Sequence, residues 1–310
     1  MYDAIIIGGG PAGLQAALTL GRLHRTALVL DSGDYRNAPA DHMHNAITHD
    51  GREPAEFRAM AQHDLAAYET VQVRSARASR VSGSLDEGFT VEVDGAEPVT
   101  ARRLVLATGV RDTLPEVPGL RELFGTLAAH CPFCHGHEYA GTQVGLMGEP
   151  AHAARMVALM GPVASGLTVF APEAPGGLPT QIVETQIVET EPVDTGPVDT
   201  VTTPVASVRR DGDEAVVELA DGTERRLGGI LVGTTLTQSA PFAEQLGLDL
   251  QASGSIRIDD FGRTSLPGVY AAGDLAHTDA FPMAMASVIS AAAAGLMAGS
   301  SVIADAIQLG

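Results

Sequence analysis

An α/β fold built on Rossmann-like dinucleotide-binding units is predicted by three features of the 310-residue sequence. The chain opens with a strand, a glycine turn, a helix and a second strand. A comparable strand, turn and helix recurs at "TQVGLMGEPAHAARMVALMG", Thr142 to Gly161, and two further apolar strands end in glycine beside Thr108 or Asp274. A chain of this length has ample core and divides most naturally into two domains, because single cores stop growing near about 250 to 300 residues.

The first unit reads "YDAIIIGGGPAGLQAALTLGRLHRTALVLDSG". A short apolar strand leads into a G-x-G-x-x-G turn formed by Gly8, Gly10 and Gly13. Gly8 permits the tight turn, Gly10 lets the backbone approach a pyrophosphate, and Gly13 lets helix and strand pack. The helix opens at Pro11 and Ala12, so its N-terminal N–H groups and positive dipole face the anion. The second strand ends at Asp31, where a carboxylate can accept hydrogen bonds from a ribose. Strand, turn, helix, strand and acid in register specify a dinucleotide far better than three glycines alone.

The other two strands are "RRLVLATGV", ending in Thr108 and Gly109, and "TSLPGVYAAGDLA", ending in Gly273 and Asp274. With them the chain resembles, over essentially its whole length, flavoproteins of the two-dinucleotide-domain disulfide reductase superfamily, at the size of the low-molecular-weight thioredoxin reductases. The resemblance implies that the first dinucleotide is FAD, with the Gly273–Asp274 pair contacting its ribityl and phosphate. It also implies an inserted arrangement of the two Rossmann-like (FAD/NAD(P)-type) domains. Residues 1–114 and 241–310 form the FAD-binding domain, and residues 115–240 form an NAD(P)H-binding-like domain carrying the cysteines. A homodimer is the oligomeric state so implied. Arg36 and Asn37, in "DSGDYRN", either contact FAD or belong to a surface loop.

The second unit departs from a working nucleotide site where it matters. Gly148 keeps the first glycine, but Glu149 and Pro150 follow it. Proline has no N–H to donate, and Glu149 adds negative charge beside a polyanion. The next strand, "LTVFAPEA", offers Ala171, Pro172 and Glu173 where the 2'-phosphate of NADP needs basic groups. The domain is therefore expected to keep its architecture and to have lost its reductant.

The only cysteines, Cys131 and Cys134, lie in "HCPFCHGHE". Zinc would need two of His130, His135 and His137 as further ligands, and four ligands packed so tightly can hardly surround one tetrahedral ion. No metal is expected. Two cysteines in a long chain are no disulfide scaffold, so the pair reads as a redox dithiol, with His130 or His135 as the base that makes the attacking thiolate. His137 fits a catalytic and a structural role equally.

The form "CPxCHGxE" resembles the thioredoxin-reductase-like dithiol oxidases that close disulfides in natural products such as gliotoxin, holomycin and romidepsin. That resemblance implies an FAD-dependent oxidase that converts a small-molecule dithiol to a disulfide and hands electrons to oxygen, forming hydrogen peroxide. Cys131 is then the sulfur attacked by substrate, and Cys134 faces the flavin. Two other readings stand beside it: an NADPH-dependent reductase of a thioredoxin-like protein, and a non-catalytic FAD-binding redox sensor.

Composition removes other classes. The net charge of -19 argues against nucleic acid and anionic membrane surfaces as partners. All 19 basic residues are arginine, which excludes lysine Schiff-base chemistry. No secretory leader pattern opens the sequence, so the protein is expected in the cytoplasm. Ala280 to Ala304 is long and uncharged but rich in Ala, Ser, Gly and Met, which predicts a buried helix packed through small residues rather than a membrane span. Thr180 to Thr200 is a five-residue T-x-x-V-(E/D) repeat with neither helical nor strand period, expected as alternating strand and turn or a mobile acidic loop.

Overall fold

The computed structural model describes residues 1–171 and 196–308. They group into two compact units: Met1–Arg36 with Glu53–Arg111 and Leu236–Gly310, and Asn37–Arg52 with Asp112–Thr235. The expected boundaries at 114/115 and 240/241 thus fall at 111/112 and 235/236. The Asn37–Arg52 segment groups with the second unit, in which Pro39 lies against Gly125 and His44 stands 3.4 Å from Glu138.

The first unit is a 7-stranded sheet. Val71–Ser75, Ala27–Asp31, Tyr2–Ile7 and Val99–Leu106 run parallel in that order. The strand Val99–Leu106 then divides its edge. Its start pairs antiparallel with Gly88–Val93, and its end pairs parallel with Val269–Ala271. Ile5, Ile6, Leu28, Val29, Leu104 and Val105 are all fully buried, which is why these strands read as continuous apolar runs: both faces of the parallel part are covered. The parallel direction also brings Gly8, Asp31, Thr108 and Gly273 to one end of the sheet, the carboxyl end, where open α/β sheets bind ligands.

Helix Pro11–Arg22 follows the glycine turn and packs against helix Val288–Gln308. The two backbones come close enough that a Cβ at Gly295 would collide with the Ala12 carbonyl, and one at Gly299 would stand 2.9 Å from the Ala16 carbonyl oxygen. This is the small-residue packing expected of the C-terminal apolar segment, although residues 280–287 lie outside the helix. By length and hydropathy Val288–Ile307 could cross a membrane. Its opposite face exposes Ile289, Leu296, Met297 and Ile307, so the helix is buried on one side only.

The second unit holds a 5-stranded parallel sheet in the order Val198–Val201, Gly166–Phe170, Gln143–Met147, Gly229–Val232 and Ala128–Ala129. A 3-stranded antiparallel sheet, Val205–Asp211, Glu214–Leu219 and Glu224–Leu227, adds to its core. Helix Pro150–Met160 joins Gln143–Met147 to Gly166–Phe170 and buries Ala153, Met156, Val157 and Met160. The pentapeptide repeat lies outside the described residues as far as residue 195, and its end enters the Val198–Val201 strand.

Replacing Gly295 by alanine should force the two helices apart and cost about 1 to 3 kcal/mol by overpacking. Ala293→Ser, on the exposed face, should leave stability unchanged. Thermal unfolding of the two variants side by side checks this.

Candidate functional site

In the first unit the glycine turn is shaped by what surrounds each absent side chain. Gly8 has φ +121°, and a Cβ there would run into the Ala107 carbonyl and stand 3.0 Å from the Thr108 nitrogen. One at Gly13 would collide with the Gly8 carbonyl, and one at Gly9 with the Asp31 carboxylate. Gly10, the N-cap of helix Pro11–Arg22, differs: a Cβ added to it meets nothing within 4 Å. Three of the glycines are thus required by protein packing, whereas Gly10 faces open space before a helix N-terminus, as a pyrophosphate site demands. FAD fits these residues.

The remaining expected contacts in this unit converge on the same end of the sheet. Gly273 has φ +88°, with its Cβ position 3.1 Å from the Ala12 Cβ, so the Gly273–Asp274 turn lies against the start of the helix. Arg36 Nη1 donates to Asp274 Oδ2 at 2.8 Å, joining two expected cofactor residues distant in sequence. Gly109 adopts φ +67° with open space around it. Asn37 groups with the second unit.

Asp31 is buried and already engaged. Its Oδ1 accepts the Gly33 N–H at 3.0 Å, and its Oδ2 accepts the Tyr35 hydroxyl at 2.5 Å. Burial, with the Asp31 bond second, pushes the Tyr35 phenol up to about 12, and the Arg58 guanidinium lies over the ring, 3.7 Å from its centroid. Tyr35 was not legible as a site residue. A ribose hydroxyl reaching Asp31 meets a carboxylate that Tyr35 holds in place.

In the second unit the turn after Gln143–Met147 is shorter by one residue before its helix begins. Gly148 has φ +145°, Glu149 is the N-cap and Pro150 the first residue of the helix. The His152 ring packs under them, with its Cδ2 3.1 Å from the Gly148 Cβ position and 3.4 Å from that of Gly233. Its Nε2 is buried without a partner, and burial holds the imidazole below its ordinary pKa. Pro172 and Glu173 lie outside the described residues.

The cysteines sit at the carboxyl end of the edge strand Ala128–Ala129, which delivers His130 and Cys131 into the short helix Pro132–His135. Cys131 and Cys134 are joined as a disulfide with a Cα–Cα distance of 5.3 Å, and the Cys131 carbonyl accepts the N–H groups of Cys134 and His135, each at 3.2 Å. Both cysteines are half-buried, and Phe133 between them is 67% exposed. The sulfurs therefore present themselves from a tight turn with an exposed aromatic ring beside them.

His135 is the better defined of the two candidate bases. Its Nε2 lies 3.2 Å from the Gly125 carbonyl oxygen, which can only accept, so Nε2 carries the hydrogen and Nδ1 keeps its lone pair. That Nδ1 is buried without a hydrogen-bond partner among the described residues. Burial holds the imidazole below its ordinary pKa, opposed by the Gly125 bond and by Glu138, and reinforced by His44. His135 is therefore a neutral base at neutral pH. His130 stacks on Phe124 with ring centroids 6.0 Å apart, and His137 is exposed. Two residues of this site escaped sequence reasoning, Glu138 and His44, which stand 3.4 Å apart. The available signal for the second was the density of histidine in "DHMHNAITHD".

A family model described as pyridine nucleotide-disulphide oxidoreductase matches residues 2–156 and 197–297. Thioredoxin reductase sirT of Leptosphaeria maculans is 32% identical over 318 residues, spanning 97% of this chain and 93% of its own. Among solved structures, an oxidoreductase from Agrobacterium tumefaciens superimposes with TM-score 0.87 at 32% identity, covering 99% of both chains. HlmI superimposes with TM-score 0.84 at 30% identity, covering 99% of this chain and 93% of its own.

Gly10→Leu should fold normally, since a Cβ there meets no protein atom within 4 Å, yet lose FAD because the side chain fills the pyrophosphate position. Flavin absorbance per mole of protein, measured beside the circular dichroism spectrum, checks both halves of that expectation.

Proposed function

The chain belongs to the pyridine nucleotide-disulphide oxidoreductase family, and on that premise we propose that it oxidises a small-molecule dithiol to a disulfide, with oxygen as final electron acceptor and hydrogen peroxide as the second product. FAD would be held by Gly8, Gly10, Pro11, Ala12, Gly13, Asp31, Arg36, Thr108, Gly109, Gly273 and Asp274. Bound there, FAD supplies the two-electron acceptor for the reduced cysteine pair and the route from it to oxygen.

The observation that carries the oxidising direction is the second glycine turn. Glu149 at the N-cap and Pro150 at the first helical position stand where a nicotinamide dinucleotide needs close backbone approach and N–H donors. Electrons then enter from thiols rather than from NADPH. The second reading, an NADPH-dependent disulfide reductase, has the names of relatives such as the thioredoxin reductase sirT in its favour.

The chemistry of the cysteine turn follows from its residues. A substrate thiol gives its proton to His135 Nδ1 or to His130, and the thiolate attacks Cys131 Sγ while Cys134 leaves as thiolate. The second substrate thiol attacks the mixed disulfide at the substrate sulfur, releasing the cyclic disulfide and leaving both cysteines reduced. Intramolecular attack favours dithiols over monothiols through effective concentration. Because His135 Nδ1 is covered, a thiol reaches it only when the turn from Cys131 to Glu138 opens locally. Phe133, exposed between the cysteines, supplies an apolar contact to the substrate.

Under anaerobic conditions a small dithiol should bleach the flavin rapidly, and NADPH should not. In air the same dithiol should consume one oxygen and yield one hydrogen peroxide per disulfide without nicotinamide. Rapid bleaching by NADPH would move the protein to the reductase reading.

If His135 is the base, its depressed pKa sets the acid limb. Dithiol-driven flavin reduction should hold steady as pH falls through about 6.5, the ordinary histidine value, and decline only below it. His135→Asn should slow that step about 100-fold, within the usual range for a lost general base, and remove the limb. The same slowing in His130→Ala alone would assign the base to His130.

A further inference from the structure

The Asn37–Arg52 segment lies in sequence between a strand and a helix of the first unit, yet it is part of the second. Within it, residues 43 to 52 close on themselves. Met43 N–H donates to the Arg52 carbonyl at 2.8 Å and Gly51 N–H to the Met43 carbonyl at 2.9 Å, while Asp50 Oδ1 accepts the Asn45 N–H at 2.7 Å. Asn45 and Thr48 hold positive φ of 57° and 70°, and Thr48 is β-branched, a type that rarely adopts this conformation. The loop is shaped at a conformational cost, and it carries His44.

This segment grips the cysteine turn at two points. Gly125, whose carbonyl fixes the His135 tautomer, lies so close to the Pro39 backbone that no Cβ could fit between them. At the other end, His44 Nε2 is 3.4 Å from Glu138 Oε1, and His44 Nδ1 is 3.7 Å from Asp50 Oδ1. His44 is mostly covered and Asp50 mostly exposed, with side-chain exposures of 23% and 69%. A single partly exposed contact contributes little, but this one connects a loop closed by its own hydrogen bonds to the turn that bears both sulfurs and His135.

We propose that His44 is a positioning residue of the dithiol site: braced by Asp50, it holds Glu138 and offsets its charge beside His135. The assignment rests on the dithiol-oxidising function only in so far as His135 serves as its base. The groups facing His135 are the Gly125 carbonyl, Glu138, His44 and the Tyr139 ring, centred 6.2 Å away, whose hydroxyl is committed to the Thr126 carbonyl. Those facing His44 are Asp50, Glu138 and His42, whose ring centroid is 6.5 Å away. Glu138 favours protonated His135 and His44 opposes it, so the two charges act in opposite directions on one imidazole.

That opposition provides the test. In the resting disulfide form of the holoenzyme, the His135 imidazole is titrated by nuclear magnetic resonance with labelled histidine, and its signal is assigned by its loss in His135→Asn. His44→Gln should raise the His135 pKa and Glu138→Gln should lower it, each by about 0.3 to 0.7 units, or about 2- to 5-fold in the protonation equilibrium. Asp50→Asn should shift it in the same direction as His44→Gln and by less. Shifts of one sign in both variants, as loosened packing would give, or no shift in either, overturn the proposal. Should His44→Gln fail to fold, Glu138→Gln and Asp50→Asn still decide it by their opposite signs. Anaerobic bleaching by a dithiol in the unmodified enzyme tests the function separately, since the titration needs no turnover.

Discussion

Close approach of one backbone to another, possible only where a Cβ is missing, is the constraint on which the first unit depends. Gly13 sits against the Gly8 carbonyl, Gly8 against Ala107, and Gly295 against Ala12. These contacts tie the turn, the helix after it and the C-terminal helix into one packed node. The node decides where the Pro11–Arg22 helix points, and so where its unpaired N–H groups are presented. Gly10 alone is spared by the packing, and the cofactor position is the space that remains. A side chain at any of the other three would disturb the architecture before it disturbed binding.

The second unit is organised differently. Its turn keeps the strand and the helix, but Glu149 and Pro150 stand between them, and His152 lies against Gly148 and Gly233. Its edge strand Ala128–Ala129 ends in the cysteine turn. There a carbonyl at Gly125 selects one tautomer of His135, and burial keeps that imidazole neutral. The protonation state of this imidazole is set by what surrounds it, with no unusual residue needed.

Legibility in the sequence followed the range of the interactions. The turn at Gly8 to Gly13, the acid at Asp31 and the cysteine pair are local patterns whose spacing carries their geometry, and each lies where that spacing implies. The Arg36–Asp274 bond spans 238 positions and the His44–Glu138 contact 94, so no period or motif announces either. Tyr35 was missed for another reason: "DSGDYRN" shows a tyrosine near the ribose acid, but only the folded loop shows its hydroxyl on Asp31. The helix after residue 287 was legible as an apolar segment, but composition alone could not reveal that only one of its faces is covered.

The bond between Tyr35 and Asp31 also gives the protein an optical property. The chain contains five tyrosines and no tryptophan, so its near-ultraviolet emission comes from phenols alone. A phenol bonded to a carboxylate passes its proton on excitation and emits weakly. Tyr35 is therefore a dark fluorophore for as long as Asp31 accepts its hydrogen. The emission of that phenol therefore reports whether Asp31 still holds it, with no label added.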